Sequence, residues 1–77
     1  MKLIPGKLYK RSGDTVLRNE IHGKKFSIMP QNSVFMLLKI EGLCWFKIFF
    51  ENKTYWVFEV LQYGYKTNYC CWNEVIC

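Results

Sequence analysis

The sequence predicts a small all-β domain, and three observations carry the prediction. Turn formers punctuate the chain about every ten residues: Pro5-Gly6, Ser12-Gly13-Asp14, His22-Gly23-Lys24-Lys25, Pro30-Gln31-Asn32, Glu41-Gly42, Glu51-Asn52-Lys53 and Tyr63-Gly64. The segments between them are rich in Val, Ile, Phe, Tyr and Trp, and the clearest alternate at the period of two that marks a half-buried strand. A chain of 77 residues holds one domain at most, and no segment between the turns has helical length. Hydrophobic residues at 51% and aromatics at 18% exclude a disordered chain, and the length excludes a multidomain enzyme. The expectation is one domain over residues 1–77, a small barrel of five to six antiparallel strands with a C-terminal extension.

Each strand is justified by its own stretch. Residues 7–11 leave the Pro5-Gly6 turn and stop at Ser12-Gly13-Asp14; residues 15–18 and 26–29 are short runs either side of the Gly-Lys-Lys loop. In 34–41, Val34, Met36, Leu38 and Ile40 alternate with Phe35, Leu37, Lys39 and Glu41. In 44–50, Cys44, Phe46, Ile48 and Phe50 point one way and Trp45, Lys47 and Phe49 the other. A three-residue turn at Glu51-Asn52-Lys53 returns the chain through 55–61, and its parity puts Trp56, Phe58 and Val60 on the core face with Phe46, Ile48 and Phe50. A two-residue turn at Asn52-Lys53 would reverse the faces of that last strand.

With the three-residue turn, the opposite face carries Trp45, Lys47, Phe49, Tyr55 and Val57, with Glu59 at its end. Either a curled barrel or the C-terminal tail covers these aromatics, or they form a binding face. Trp, Phe and Tyr around a Lys have the composition of a protein-interface hot spot, and equally of a platform on which bases stack.

Charge is lopsided. Residues 1–25 hold Lys2, Lys7, Lys10, Arg11, Arg18, Lys24 and Lys25 against Asp14 and Glu20, which accounts for the whole net charge of +5. Such a basic front end suits nucleic acid, an acidic protein surface or an anionic membrane, or does no more than keep an apolar domain dispersed. The start, Met1-Lys2-Leu3-Ile4, runs straight into Pro5-Gly6-Lys7 without the apolar stretch of a secretory signal, and the longest aliphatic and aromatic run, 34–38, is too short to span a bilayer. A cytoplasmic protein without membrane association is therefore expected, with Cys44, Cys70, Cys71 and Cys77 reduced.

Templates for chemistry are missing. There is no Gly-rich phosphate loop, no His-Glu-x-x-His and no Gly-x-Ser-x-Gly elbow, so no enzyme and no cofactor are expected. Adjacent Cys70 and Cys71 cannot both readily reach one tetrahedral ion, which disfavours zinc and leaves the thiols as small apolar residues closing the barrel. A disulfide from Cys77 to Cys70 or Cys71 is the lesser alternative. His22, in its Gly-Lys-Lys loop, reads as a solvated turn residue rather than a base for a thiol. Glu51 and Glu59 flank the strand 55–61 and read as structural or solubilising.

Pro5-Gly6-Lys7-Leu8-Tyr9-Lys10, the basic loop, the step from Met29-Pro30-Gln31-Asn32-Ser33 into Val34-Phe35-Met36-Leu37-Leu38, and the aromatic hairpin from Trp45 to Phe58 resemble small bacteriophage proteins with a Src-homology-3-like (SH3-like) barrel. The resemblance covers about residues 5–61 and leaves the aromatic, Cys-rich tail 62–77 outside it. It implies an early or accessory phage protein, a compact module acting on a component in the host cytoplasm. It does not bring the proline-rich ligands of eukaryotic Src-homology-3 domains, because the matching acidic loop is not present.

The residues support two functions. In the favoured one, Trp45, Lys47, Phe49, Tyr55 and Val57 dock on a host protein, basic loops steer the chain toward an acidic surface, and the result is inhibition or modulation. In the alternative, Lys7, Lys10, Arg11, Arg18, Lys24 and Lys25 track the phosphates of single-stranded DNA or RNA while the aromatics stack on bases. Self-association into a homodimer, through an edge strand or the aromatic face, is the third arrangement.

Overall fold

Short runs of β-branched and aromatic residues broken by turn formers have one good way to satisfy their backbone, which is to pair with one another. The computed structural model of the chain describes residues 3–42, 44–59 and 72–76, and these form seven antiparallel strands. They are β1 (Leu8–Arg11), β2 (Thr15–Arg18), β3 (Lys25–Met29), β4 (Val34–Glu41), β5 (Trp45–Phe50), β6 (Lys53–Phe58) and β7 (Trp72–Glu74). All belong to one sheet, in the order β3-β2-β6-β5-β4-β1-β7.

That order forces a curl. β1 and β2 are joined by residues 12–14 alone, yet three strands lie between them. In a flat sheet four strand spacings would separate them by about 19 Å, whereas the link from Arg11 to Thr15 reaches at most about 14 Å. The sheet bends into a half-barrel so that this connection closes. The turn is secured where it is tightest: the Arg11 guanidinium donates to the carbonyls of Ser12, Gly13 and Asp14 at 3.0–3.2 Å, and the Asp14 carboxylate accepts from the Gln31 backbone N–H at 3.0 Å.

The concave side is the core. Tyr9, Leu17, Met29, Phe35, Leu37, Phe46, Ile48, Val57 and Trp72 are almost wholly buried there, with Leu3 and Tyr55 at its margin and Phe50 packed against it. Trp72 is central, its ring 4.8 Å from Phe35, 5.4 Å from Phe46 and 5.7 Å from Tyr9. The tail is therefore not wholly an appendage: β7 pairs with β1, Tyr9 opposite Glu74 and Arg11 opposite Trp72, and adds a strand beyond the five to six expected. Residues 60–71 and 77, with Val60, Cys70, Cys71 and Cys77, lie outside the described residues.

Strand β4 corrects one expectation. Its alternation does not run unbroken, because the register with β5 shifts between Leu37 and Lys39. Phe35 and Leu37 point into the core, and beyond the bulge Lys39 and Glu41 lie opposite Lys47 and Trp45. A bulge inserts one residue and switches the parity of the residues beyond it. The switch keeps Lys39 and Glu41 out of the core.

Candidate docking face

The β5–β6 hairpin decides which aromatics face solvent. Phe50 pairs with Lys53, so the turn consists of Glu51 and Asn52 alone, both with positive φ, 50° and 67°. Two central residues at positive φ define the type I′ turn, whose twist matches that of the paired strands. The three-residue turn expected from the sequence is overturned, and the register moves by one residue. Phe46 lies opposite Val57 and Ile48 opposite Tyr55, all four on the concave side. Tyr55 at 8% and Val57 at 1% exposure are core residues and leave the predicted docking set; Trp56 and Phe58, predicted inside, take their places outside.

The convex face is built row by row. Trp45 stands opposite Phe58, Lys47 opposite Trp56, and Phe49 opposite Thr54. Phe49 and Phe58 are exposed, 41% and 45%, and Trp45, Lys47 and Trp56 are half-buried. The predicted trio Trp45, Lys47 and Phe49 is thus kept on one surface. Trp45 and Phe58 meet edge to face at 5.1 Å, and the Lys47 ammonium sits 5.8 Å from the centre of the Trp56 ring, a cation–π arrangement. No strand of the described residues covers this face.

At one end the face runs into the loop joining β2 to β3. His22, exposed and at φ 60°, sets its ring edge-on to Trp45 at 5.2 Å. The loop closes tightly at Gly23, whose N–H donates to the Glu20 carbonyl at 2.9 Å. A Cβ there would lie 2.8 Å from that same oxygen, so only glycine fits without a backbone shift. Arg18, Gly23, His22, Trp45 and Phe58 line a groove of about 310 Å³. Beyond it Lys24 and Lys25 border a second concavity.

The six basic residues singled out from the sequence do not form one surface. Arg11 is turned inward: its guanidinium makes a two-point pair with the Glu59 carboxylate, which also accepts from the Trp72 indole N–H at 2.9 Å. That consumes Arg11 in the fold and removes it from any phosphate track. It also gives Glu59 a structural post, at the far end of β6 from Glu51. Lys7 pairs with Glu74 at 3.6 Å on β7, and Lys10 is exposed on β1. Arg18, Lys24 and Lys25 alone gather at the aromatic face, where Lys47 joins them. Sequence reasoning missed Trp56, Phe58 and His22 as members of this face. For the first two, the signal lay in the turn, since Asn tolerates positive φ better than most residues.

Among the described residues no group of three or more His, Cys, Asp or Glu is arranged to hold a metal, Cys44 is a free, half-buried thiol, and no helix is long and apolar enough to cross a membrane. Comparison of the chain with protein-family models, with curated proteins and with solved structures finds no match. The likeness to phage proteins with an SH3-like barrel therefore rests on the pattern of the sequence alone.

Proposed function

We propose that the protein is a non-enzymatic binding module that docks, through its convex aromatic face, on a partner protein with an acidic surface. One observation carries the reading: Trp45, Trp56, Phe49 and Phe58 share a solvent-facing surface with two cations, Lys47 and Arg18, that make no ion pair among the described residues. Rigid aromatics supply buried area at low entropic cost, and the cations choose the sign of the partner. Lys24 and Lys25 on the adjoining loop would raise the association rate. An SH3-like identity, a host target, a cytoplasmic setting and an inhibitory effect extend this reading from the sequence resemblance.

Single-stranded nucleic acid is the second reading, favoured by the nearness of Lys24 and Lys25 to Trp45 through His22. The ring geometry weighs against it. Stacking needs open ring faces, whereas Trp45, Phe58 and His22 are engaged edge to face and Lys47 sits over Trp56.

Affinity capture from a bacterial lysate, run with and without nuclease, tests both. The native chain should retain one stoichiometric protein through a salt wash, and Phe49→Asp, with its fold checked by circular dichroism, should weaken that complex about thirtyfold or more. Equal retention by the Phe49→Asp chain removes the face from the reading. Recovery of nucleic acid alone before nuclease, with nothing after it, replaces the reading by the second one.

A further inference from the structure

Two arginines sit partly buried in this fold, and among the described residues only one of them has an ion-pair partner. Arg11 has Glu59 and three backbone carbonyls. Arg18, half-buried on β2 opposite Trp56, makes a single hydrogen bond among the described residues, from its guanidinium to the Gly23 carbonyl at 2.7 Å. Its Nε is buried without a partner among the described residues. All six Asp and Glu side chains of the chain lie within the described residues, and none pairs with it.

A guanidinium carries five donors and cannot shed its charge. Held off water beside aromatic rings, it gains most from an anion, because charge-assisted pairing strengthens as the surroundings become drier. The groove on which Arg18 opens is walled by Trp45 and Phe58 and rimmed by His22 and Gly23, and Lys24 and Lys25 come next on the same loop. Glu20 is the one acid on that loop. Cations outnumber acids on this side, since Glu59, which shares the neighbouring concavity with Arg18 and Phe58, is taken up by Arg11; the walls are apolar, and among the described residues the unmet donor belongs to a planar fork.

We infer that this groove is the specificity pocket of the docking face, and that Arg18 receives there the carboxylate of an Asp or Glu side chain that the partner protein presents next to an apolar residue. The inference rests on the docking reading above and narrows it to one contact. The apolar neighbour packs on Trp45 and Phe58 while the carboxylate meets the guanidinium. Gly23 keeps the rim open and, through its carbonyl, holds the fork in place.

The test uses the full-length chain and three probes: an acetylated peptide with a central Phe flanked by Glu, the same peptide with Lys for Glu, and an oligothymidylate. Nitrogen-15 spectra follow the Arg18 Nε–H, the three indole N–H groups and the backbone. The Glu peptide should shift the Arg18 and Trp45 signals saturably, the Lys peptide should not, and Arg18→Gln should weaken the Glu peptide about tenfold or more. Phe58→Ala should weaken it too, which keeps the test decisive if Arg18→Gln disturbs the loop. Unchanged affinity in both variants, or shifts confined to Trp56 and Phe49, sinks the Arg18 pocket and leaves the docking face standing. Silence of every convex-face signal with all three probes sinks both. Tighter saturation of the Arg18 signal by oligothymidylate than by the Glu peptide overturns the carboxylate assignment in favour of phosphate.

Discussion

Arg11 and Arg18 have the same side chain, and what separates them is the location of the nearest carboxylate. Glu59, immediately after β6, reaches the end of β1 and ties three elements at one point, accepting from Arg11 and from the Trp72 indole. Both members of the pair are largely shielded, with side-chain exposures of 19% and 16%. Removing one partner of such a pair leaves the other charge unbalanced. Glu59→Gln preserves shape and an acceptor for Trp72 but strands the Arg11 charge, so urea unfolding should show a loss of about 2 to 3 kcal/mol after allowance for residual solvent. A loss below about 0.5 kcal/mol would place the pair with ordinary surface ion pairs. Nothing in the sequence separated the two arginines. The partner of Arg11 lies 48 positions away, and charge type alone does not say which cation will turn inward.

At the scale of elements, the strands were legible and the faces were not. The limits of 15–18 and 34–41 agree with β2 and β4, because strand propensity and turn formers are local signals. Which side of β6 is buried depends on a single residue in the turn, and a shift of one exchanges every side chain between core and solvent. Composition does not arbitrate here, since both faces of residues 53–58 offer large apolar side chains. The register makes a sharp prediction. Val57→Asp places an unpaired charge in the core and should cost about 4 kcal/mol or more, whereas Phe58→Asp on the convex face, which gives up its edge-to-face contact with Trp45, should cost no more than about 2 kcal/mol. The reverse ranking would restore the three-residue turn. β7 escaped the sequence reading for a related reason: three residues beside a Cys pair carry too little alternation to register as a strand, and their partner β1 stands at the other end of the chain.

Over the whole molecule, the short β1–β2 link compels the curl, and the curl sorts the aromatics into two populations. Tyr9, Phe35, Phe46 and Trp72 fill the concave side, and Trp45, Trp56, Phe49 and Phe58 are left on the convex one. A domain of this size has little stability to spare, since at about 0.05–0.15 kcal/mol per residue a chain of 77 holds about 4 to 12 kcal/mol. Trp72 contributes disproportionately: it is 3% exposed, packs on three core rings, donates to Glu59 and begins the strand that covers the edge of β1. Trp72→Ala should therefore cost about 3 to 5 kcal/mol, enough to move a large part of the population toward the unfolded state. Ile76→Ala, 83% exposed two residues beyond β7, should change nothing measurable and serves as the matched control. Thermal unfolding followed by near-ultraviolet circular dichroism reads both. If Trp72→Ala melts with the native chain, the C-terminal segment is dispensable and the core closes without it. If it melts far below while Ile76→Ala does not, the last strand belongs to the fold, and the convex aromatics are the ones left over for a partner.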